Sequence, residues 1–278
     1  MTVVKGASTA LLVCGVVAAA PSAVRAADVV SPQALLDPAS FDVSFGVAVL
    51  SDYRFRGVTQ SKRKPAVQGY VELQAFDWIY AGVWSSSVSF PTRFGLTDPA
   101  AEVDFYAGVR PTWGSFSLDA GYLYYWYPGE SRSFPGQKQT DYWELKATPS
   151  IALSENGSIS GNVWWSPNYA NTGSSELYLS MASKIDIPVP SFPDLGLYVS
   201  GEFGKQWTKK ADDGFDPKDF LSWNLGGGVT YKAMTIDIRY SDTNLSKSEC
   251  VGVSGARTWC GSAVVGKIAF DTALSKLR

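Results

Sequence analysis

The feature that most constrains this chain is a two-residue alternation of apolar and polar side chains, repeated in segment after segment. A strand sends successive side chains to opposite faces, so this period demands a sheet with two chemically different faces. From Val43 the odd positions Phe45, Val47 and Val49 are apolar, and Asp42, Ser44, Gly46 and Ala48 lie between them. Apart from Leu50, the same parity continues to Tyr53 and Phe55 on one face and Asp52, Arg54 and Arg56 on the other. Val67, Val71, Leu73 and Ala75 alternate with Gln68, Tyr70, Glu72 and Gln74. Val103, Phe105, Ala107 and Val109 alternate with Glu102, Asp104, Tyr106 and Arg110. Phe116, Leu118, Ala120, Tyr122 and Tyr124 form another row, and Trp143, Leu145 and Ala147 oppose Glu144 and Lys146. Leu177, Leu179 and Met181 oppose Glu176 and Ser180. Ile236, Ile238 and Tyr240 face away from Asp237 and Arg239, and Val264, Ile268 and Phe270 from Lys267.

The pattern predicts twelve strands, near 42–56, 67–76, 78–89, 101–111, 115–127, 141–153, 158–166, 174–187, 196–207, 220–231, 233–243 and 261–271. Their connections alternate in length. Those at 57–66, 90–100, 128–140, 167–173, 208–219 and 244–260 are long and polar, and the others, including a Pro-rich one from Pro188 to Leu195, are short. Outer-membrane barrels have this asymmetry, with short periplasmic turns, longer outer loops and, for an even strand number, both ends of the barrel on the periplasmic side. A soluble sandwich or lipocalin-like barrel also alternates, with its apolar face inward, so the period alone leaves both readings open. Aromatic placement favours the membrane: Tyr53, Phe55, Trp78, Tyr124, Trp126, Trp143, Trp165, Trp207, Trp223 and Tyr231 lie at or near the expected strand ends. There an amphipathic ring suits a lipid headgroup boundary. Beyond the N-terminus no apolar run is long enough for a membrane-spanning helix, so a membrane protein of this sequence spans as a barrel. The expected fold is all-β, a single antiparallel transmembrane barrel of about twelve strands over 42–278.

The N-terminus has one positive charge, Lys5, an apolar and small-residue run from Ala10 to Ala20, then Pro21 and Ala23-Val24-Arg25-Ala26. This reads as a secretory signal peptide over 1–26, followed by a short periplasmic segment over 27–41. Cys14 would leave with it. Loss of Lys5 and Arg25 leaves 22 basic and 26 acidic residues, a net charge of −4. That balance gives no footing for a nucleic-acid partner. The remaining cysteines, Cys250 and Cys260, form an even pair in an exported chain. We therefore expect a disulfide in the last long loop, important for loop order more than for barrel closure.

Several motifs carry a family likeness. Ser51-Asp52-Tyr53-Arg54-Phe55-Arg56-Gly57-Val58-Thr59-Gln60-Ser61 with Pro65-Ala66-Val67-Gln68-Gly69 is the most specific. Glu102-Val103-Asp104-Phe105-Tyr106-Ala107-Gly108, Gly121-Tyr122-Leu123-Tyr124-Tyr125-Trp126-Tyr127-Pro128, Ser166-Pro167-Asn168-Tyr169 and Ser241-Asp242-Thr243-Asn244-Leu245-Ser246 support it. Together they resemble the TorF family of porin-like proteins, also circulated as a conserved hypothetical proteobacterial family. The resemblance implies an exported outer-membrane barrel and no particular substrate. Such chains usually end in an aromatic residue, whereas this sequence runs past Phe270 to Arg278. Either Gly266, Ile268 and Phe270 then serve as an internal signal to the barrel insertion machinery, or the last strand extends to Leu274.

The chain contains no histidine, the commonest general base near neutral pH and the commonest transition-metal ligand. We expect no catalytic site, cofactor or metal. Function then falls to the polar face, which parity lines with Asp52, Arg54, Arg56, Glu72, Glu102, Asp104, Arg110, Asp119, Glu144, Lys146, Glu176, Lys184, Glu202, Asp237, Arg239 and Lys267. Nine are acidic and seven basic. Opposed charges can set a transverse field for polar solutes, or can pair and plug a narrow barrel. The expected function is passive diffusion of small hydrophilic solutes across the outer membrane, with lipid and solute as partners. A plugged structural or surface-binding barrel, and less readily an outer-membrane enzyme, are the alternatives. Arg54 and Arg56 are expected on the lumen face of the first strand, either selecting solutes or paired with Asp52 or Glu72.

Overall fold

The computed structural model describes residues 41–90, 98–130 and 139–277. The expected signal peptide, Cys14 and the segment that follows as far as residue 40 lie outside the described residues. Twelve wall strands are β1 Phe41–Leu50, β2 Ala66–Ala75, β3 Ile79–Ser87, β4 Ala101–Val109, β5 Phe116–Trp126 and β6 Tyr142–Ser154. They continue with β7 Gly157–Ser166, β8 Glu176–Pro188, β9 Leu195–Thr208, β10 Phe220–Tyr231, β11 Met234–Thr243 and β12 Ala263–Ala273. Each pairs antiparallel with the next, and β1 pairs with β12 from Ser44 opposite Ala273 to Leu50 opposite Lys267, closing the barrel. Among the described residues closure leaves no wall strand without a partner on each side, which is the condition for a sheet to stand in hydrocarbon.

The strands carry the expected parity, and the structure decides which face is which. Val47, Val67 and Val264 are 59%, 60% and 67% exposed, whereas Glu72 and Glu144 are fully buried. Apolar residues face outward and charges mostly inward along the wall strands, Lys205 and Asp242 near the long-connection ends of β9 and β11 being on the outward face. An apolar outer wall around a charged interior is stable in a lipid surround and unfavourable in water, the reverse of a lipocalin-like barrel. Trp126, Trp165 and Tyr231 are among the exposed aromatics.

Tyrosines fill much of the interior, and glycines make room for them. The Tyr80 ring lies across β4 and β5, where a Cβ on Gly108 would clash with the Tyr80 hydroxyl and meet the Ala120 carbonyl at 2.5 Å. A Gly108→Val variant should lose about 1–3 kcal/mol through overpacking. The check is the temperature at which the compact species converts to the slower, unfolded one on a denaturing gel. No change there would show that the wall yields freely around Tyr80.

The first connection departs from expectation. β1 ends at Leu50, not near residue 56, and the chain turns inward to form a small hairpin in which Arg54–Phe55 pairs with Val58–Thr59. Arg56 (φ 49°) and Gly57 (φ 82°) make its two-residue turn, since consecutive left-handed residues match hairpin twist. A side chain at Gly57 would also press on Thr243 at 2.5 Å. Tyr53 and Phe55 therefore belong to the buried interior aromatic cluster and not to an outer girdle.

The last connection, expected to be long and polar, holds an eight-residue helix, α1 Lys247–Ser254. Ser246 and Glu249 form a reciprocal cap at its start, satisfying two otherwise free N–H groups. Cys250 and Cys260 are disulfide-bonded, as expected. β12 stops at Ala273, one residue short of the alternative endpoint. Ser275 then bonds Asp42 through its N–H (3.1 Å) and its hydroxyl (2.5 Å), tying the strand's end to β1.

Candidate functional site

The inner hairpin is the organising element of the lumen. Asp52 takes the hydroxyl of Ser61 at 3.1 Å and that of Thr59, and pairs with Arg54 Nε at 2.7 Å. Arg54 also donates to the carbonyls of Gly57 (2.8 Å) and Gly261 (2.7 Å). These bonds stiffen the hairpin and fix its outer side to the last connection. The expected Arg54–Asp52 pairing is present.

Arg56 points from the hairpin tip to the opposite wall. Its guanidinium bonds Glu144 Oε1 at 2.8 Å and pairs with Glu176, and it lies 4.4 Å from the Phe55 ring centre and 4.6 Å from that of Tyr178. The planar guanidinium suits this combination of ion pairing and ring stacking. Its partners are thus neither Asp52 nor Glu72. Parity in a single sequence shows a face but not which residues meet across a barrel.

Glu102 and Asp104 on β4, Glu144 on β6 and Glu176 on β8 form an acidic arc at the long-connection end. All four are fully or almost fully buried. Glu102 accepts the hydroxyls of Tyr53 and Tyr127, each at 2.8 Å, and Glu144 accepts that of Tyr125 at 2.8 Å. Neither carboxylate oxygen of Asp104 has a hydrogen-bond partner among the described residues. Nearer the short-turn end, Arg110, just past β4, pairs with Glu72 at 3.2 Å and Asp119 at 3.3 Å. Lys146 joins Asp119 at 3.0 Å, and the Tyr80 hydroxyl donates to it at 2.6 Å.

The remaining candidates line the other half of the barrel. Asp237 pairs with Arg239 at 3.1 Å and accepts from Tyr198 at 2.7 Å. Glu202 accepts from Ser180 at 2.6 Å, and Lys184 pairs with Asp186 at 2.6 Å. With Lys267 they surround a cavity of about 260 Å³ below the hairpin. Above it lies an aromatic vestibule of about 460 Å³. Phe55 lines both, so the hairpin is the partition between them. All sixteen predicted lumen residues face the interior, Asp52, Arg54 and Arg56 from the hairpin and the rest from the wall or its edge.

The lumen tyrosines Tyr70, Tyr80, Tyr106, Tyr125, Tyr142, Tyr178 and Tyr198 were missed as site residues. The signal was available: Tyr70 and Tyr106 occupy the polar parity of their strands, where an amphipathic ring still finds a polar partner. A second tether joins the hairpin's far side to the next long connection, where Lys62 meets Asp98 at 2.7 Å. Although burial opposes it, the Lys62 ammonium, the Phe90 N–H and the Ser89 hydroxyl hold the Asp98 carboxyl below its ordinary range. This tether acts at neutral pH and is lost as pH falls through that lowered pKa.

A family model described as "Bacterial protein of unknown function (Gcw_chp)" matches residues 37–270. The chain belongs to the Gcw_chp family. No curated protein matches it. Among solved structures, the KdgM porin in complex with disordered oligogalacturonate is similar at 7% identity and a TM-score of 0.44, over 83% of this chain and 97% of that one. LpxR from Salmonella typhimurium is similar at 9% identity and a TM-score of 0.41, over 82% and 99%. A loop-deletion mutant of OmpT from Vibrio cholerae is similar at 9% and 0.40, over 84% and 99%. Members of Gcw_chp carry no assigned activity in that description, so functional argument rests on the lumen itself.

Proposed function

We propose that this protein is an outer-membrane channel for passive diffusion of small hydrophilic solutes, with the inner hairpin as its constriction. The observation that carries the reading is a charged lumen, divided by the hairpin into an inner cavity and an outer vestibule, inside a closed wall whose outer face is apolar. The short-turn end, where β1 begins and β12 ends, is then periplasmic and the long connections face outward. The likeness of its motifs to the TorF porin-like family supports the same assignment. An inner cavity of about 260 Å³ lies below the range of drug-sized sites and favours small solutes. Mixed charge along the route, with Arg239, Lys184 and Lys267 among Asp237 and Glu202, favours polar ones. Nothing in this route needs a catalytic base or cofactor, and the absence of histidine from the sequence supports a non-enzymatic role.

One observation favours a plugged structural barrel instead: the hairpin is fastened on both its sides by buried ion pairs and hydrogen bonds. Planar-bilayer recording separates the two. Stepwise ion conductance is the expected result. A protein that shows heat-dependent gel migration, and so is folded, yet stays electrically silent would overturn the channel and leave the plug.

A further inference from the structure

We infer that the outer vestibule is a binding site for a small organic cation carrying an aromatic or other apolar group. Its walls are aromatic: Phe55, Phe90, Tyr127, Tyr169, Phe215 and Trp259 line a space of about 460 Å³. That volume is within the range of small-ligand sites, and such sites are mostly apolar with a few placed polar groups. The placed group is Glu102, which lines the same space and is held by the Tyr53 and Tyr127 hydroxyls at 2.8 Å.

Two independent features set the sign of the ligand's charge. Aromatic faces attract cations, most strongly where water is excluded. Glu102 itself lines the space, accepts two tyrosine hydroxyls and has no cation paired with it among the described residues. Among the described residues the buried Arg56 guanidinium pairs with Glu144 and Glu176 and not with Glu102. A carboxylate without a paired cation at the edge of an aromatic space favours a positive ligand. An anion there is repelled, a neutral ring gains only burial, and a cation with an apolar body gains both.

The site lies on the long-connection side of the hairpin and is complete without passage through it. Binding is therefore independent of whether the lumen conducts, and failure of either reading leaves the other standing. The test is isothermal titration of the full chain, held in discs of zwitterionic lipid, with phenethylammonium, 2-phenylethanol and 3-phenylpropionate, using protein-free discs as the blank. Phenethylammonium should bind at least about tenfold more tightly than the alcohol, with the carboxylate weakest. Glu102→Gln keeps a polar side chain of the same size and should remove that preference while leaving alcohol binding unchanged. Phe90→Leu, at the wall, should weaken the cation and the alcohol together. Heat-dependent gel migration confirms that each variant is folded. Equal binding of all three probes, no binding of the cation at millimolar concentration, or a cation preference that survives in Glu102→Gln would each overturn the assignment.

Discussion

Replacing Arg56 with methionine should release the inner hairpin from the lumen without opening the barrel. Arg56 is the element that joins the hairpin tip to the far wall, and its removal leaves Glu144 and Glu176 buried with their cation gone. Breaking a buried pair on one side costs about 3–5 kcal/mol, because the orphaned charge must be rehydrated or protonated. The wall is closed by twelve strand pairings and loses none of them, so the cost falls on the hairpin. A freed hairpin exposes Arg54, which is buried in the wild type, so trypsin should cut after it only in the variant. In bilayers the step size should rise severalfold. Arg56→Lys keeps the charge but not the planar fork and should fall between the two. If Arg54 stays protected and conductance is unchanged in Arg56→Met, the two carboxylate contacts are not what holds the constriction.

Loss of the Cys250–Cys260 bridge should act on the same hairpin from its other side. The residues the bridge orders are the ones that grip it. The Thr59 N–H donates to the Trp259 carbonyl at 3.1 Å, Arg54 reaches the Gly261 carbonyl, and Arg63 bonds the carbonyls of Thr258 at 3.0 Å and Ser262 at 2.6 Å. Val58 packs directly into the cluster of Cys250, Cys260, Phe220 and Trp259. In the chain-entropy account a loop this short contributes somewhat under ~3 kcal/mol. The double variant Cys250→Ala with Cys260→Ala should keep the compact gel form of the barrel and make Arg54 cleavable. Combined with Arg56→Met, its effect on cleavage should be less than additive, since both changes free one element. Loss of the compact form on reduction would show that the bridge supports the wall itself.

The wall was legible because its signal is local and repeated. Every strand needs one apolar and one polar side, so Val67 and Glu72 announce their faces without knowledge of any partner. The exterior assignment rested in the sequence on aromatic placement and loop lengths, since alternation is the same whether the apolar face meets lipid or a core, and the exposed Val47, Val67 and Val264 bear it out. The hairpin was illegible for the opposite reason. Asp52, Tyr53, Arg54, Phe55 and Arg56 keep strand parity while the backbone has already turned inward at Ser51, and only Gly57 marks a reversal. The partners that hold Arg56 lie 88 residues away at Glu144 and farther still at Glu176, beyond the reach of any local pattern. The disulfide could be read from the cysteine pair, but its grip on the hairpin could not, because nothing near Cys250 names Thr59 or Arg54.

That long reach gives the hairpin a place in time as well as in space. Its tip is fixed by residues from the middle of the chain and its flank by Gly261, 207 residues from Arg54. Contacts so distant in sequence are entropically late, and on the proposed orientation they also require the final long connection to have reached the outer side. The seam between β1 and β12 closes in the same region where the last loop fastens the first, with Leu50 opposite Lys267 and Arg54 bonded to Gly261. On the proposed channel reading, narrowing of the passage would coincide with closure of the wall by β12.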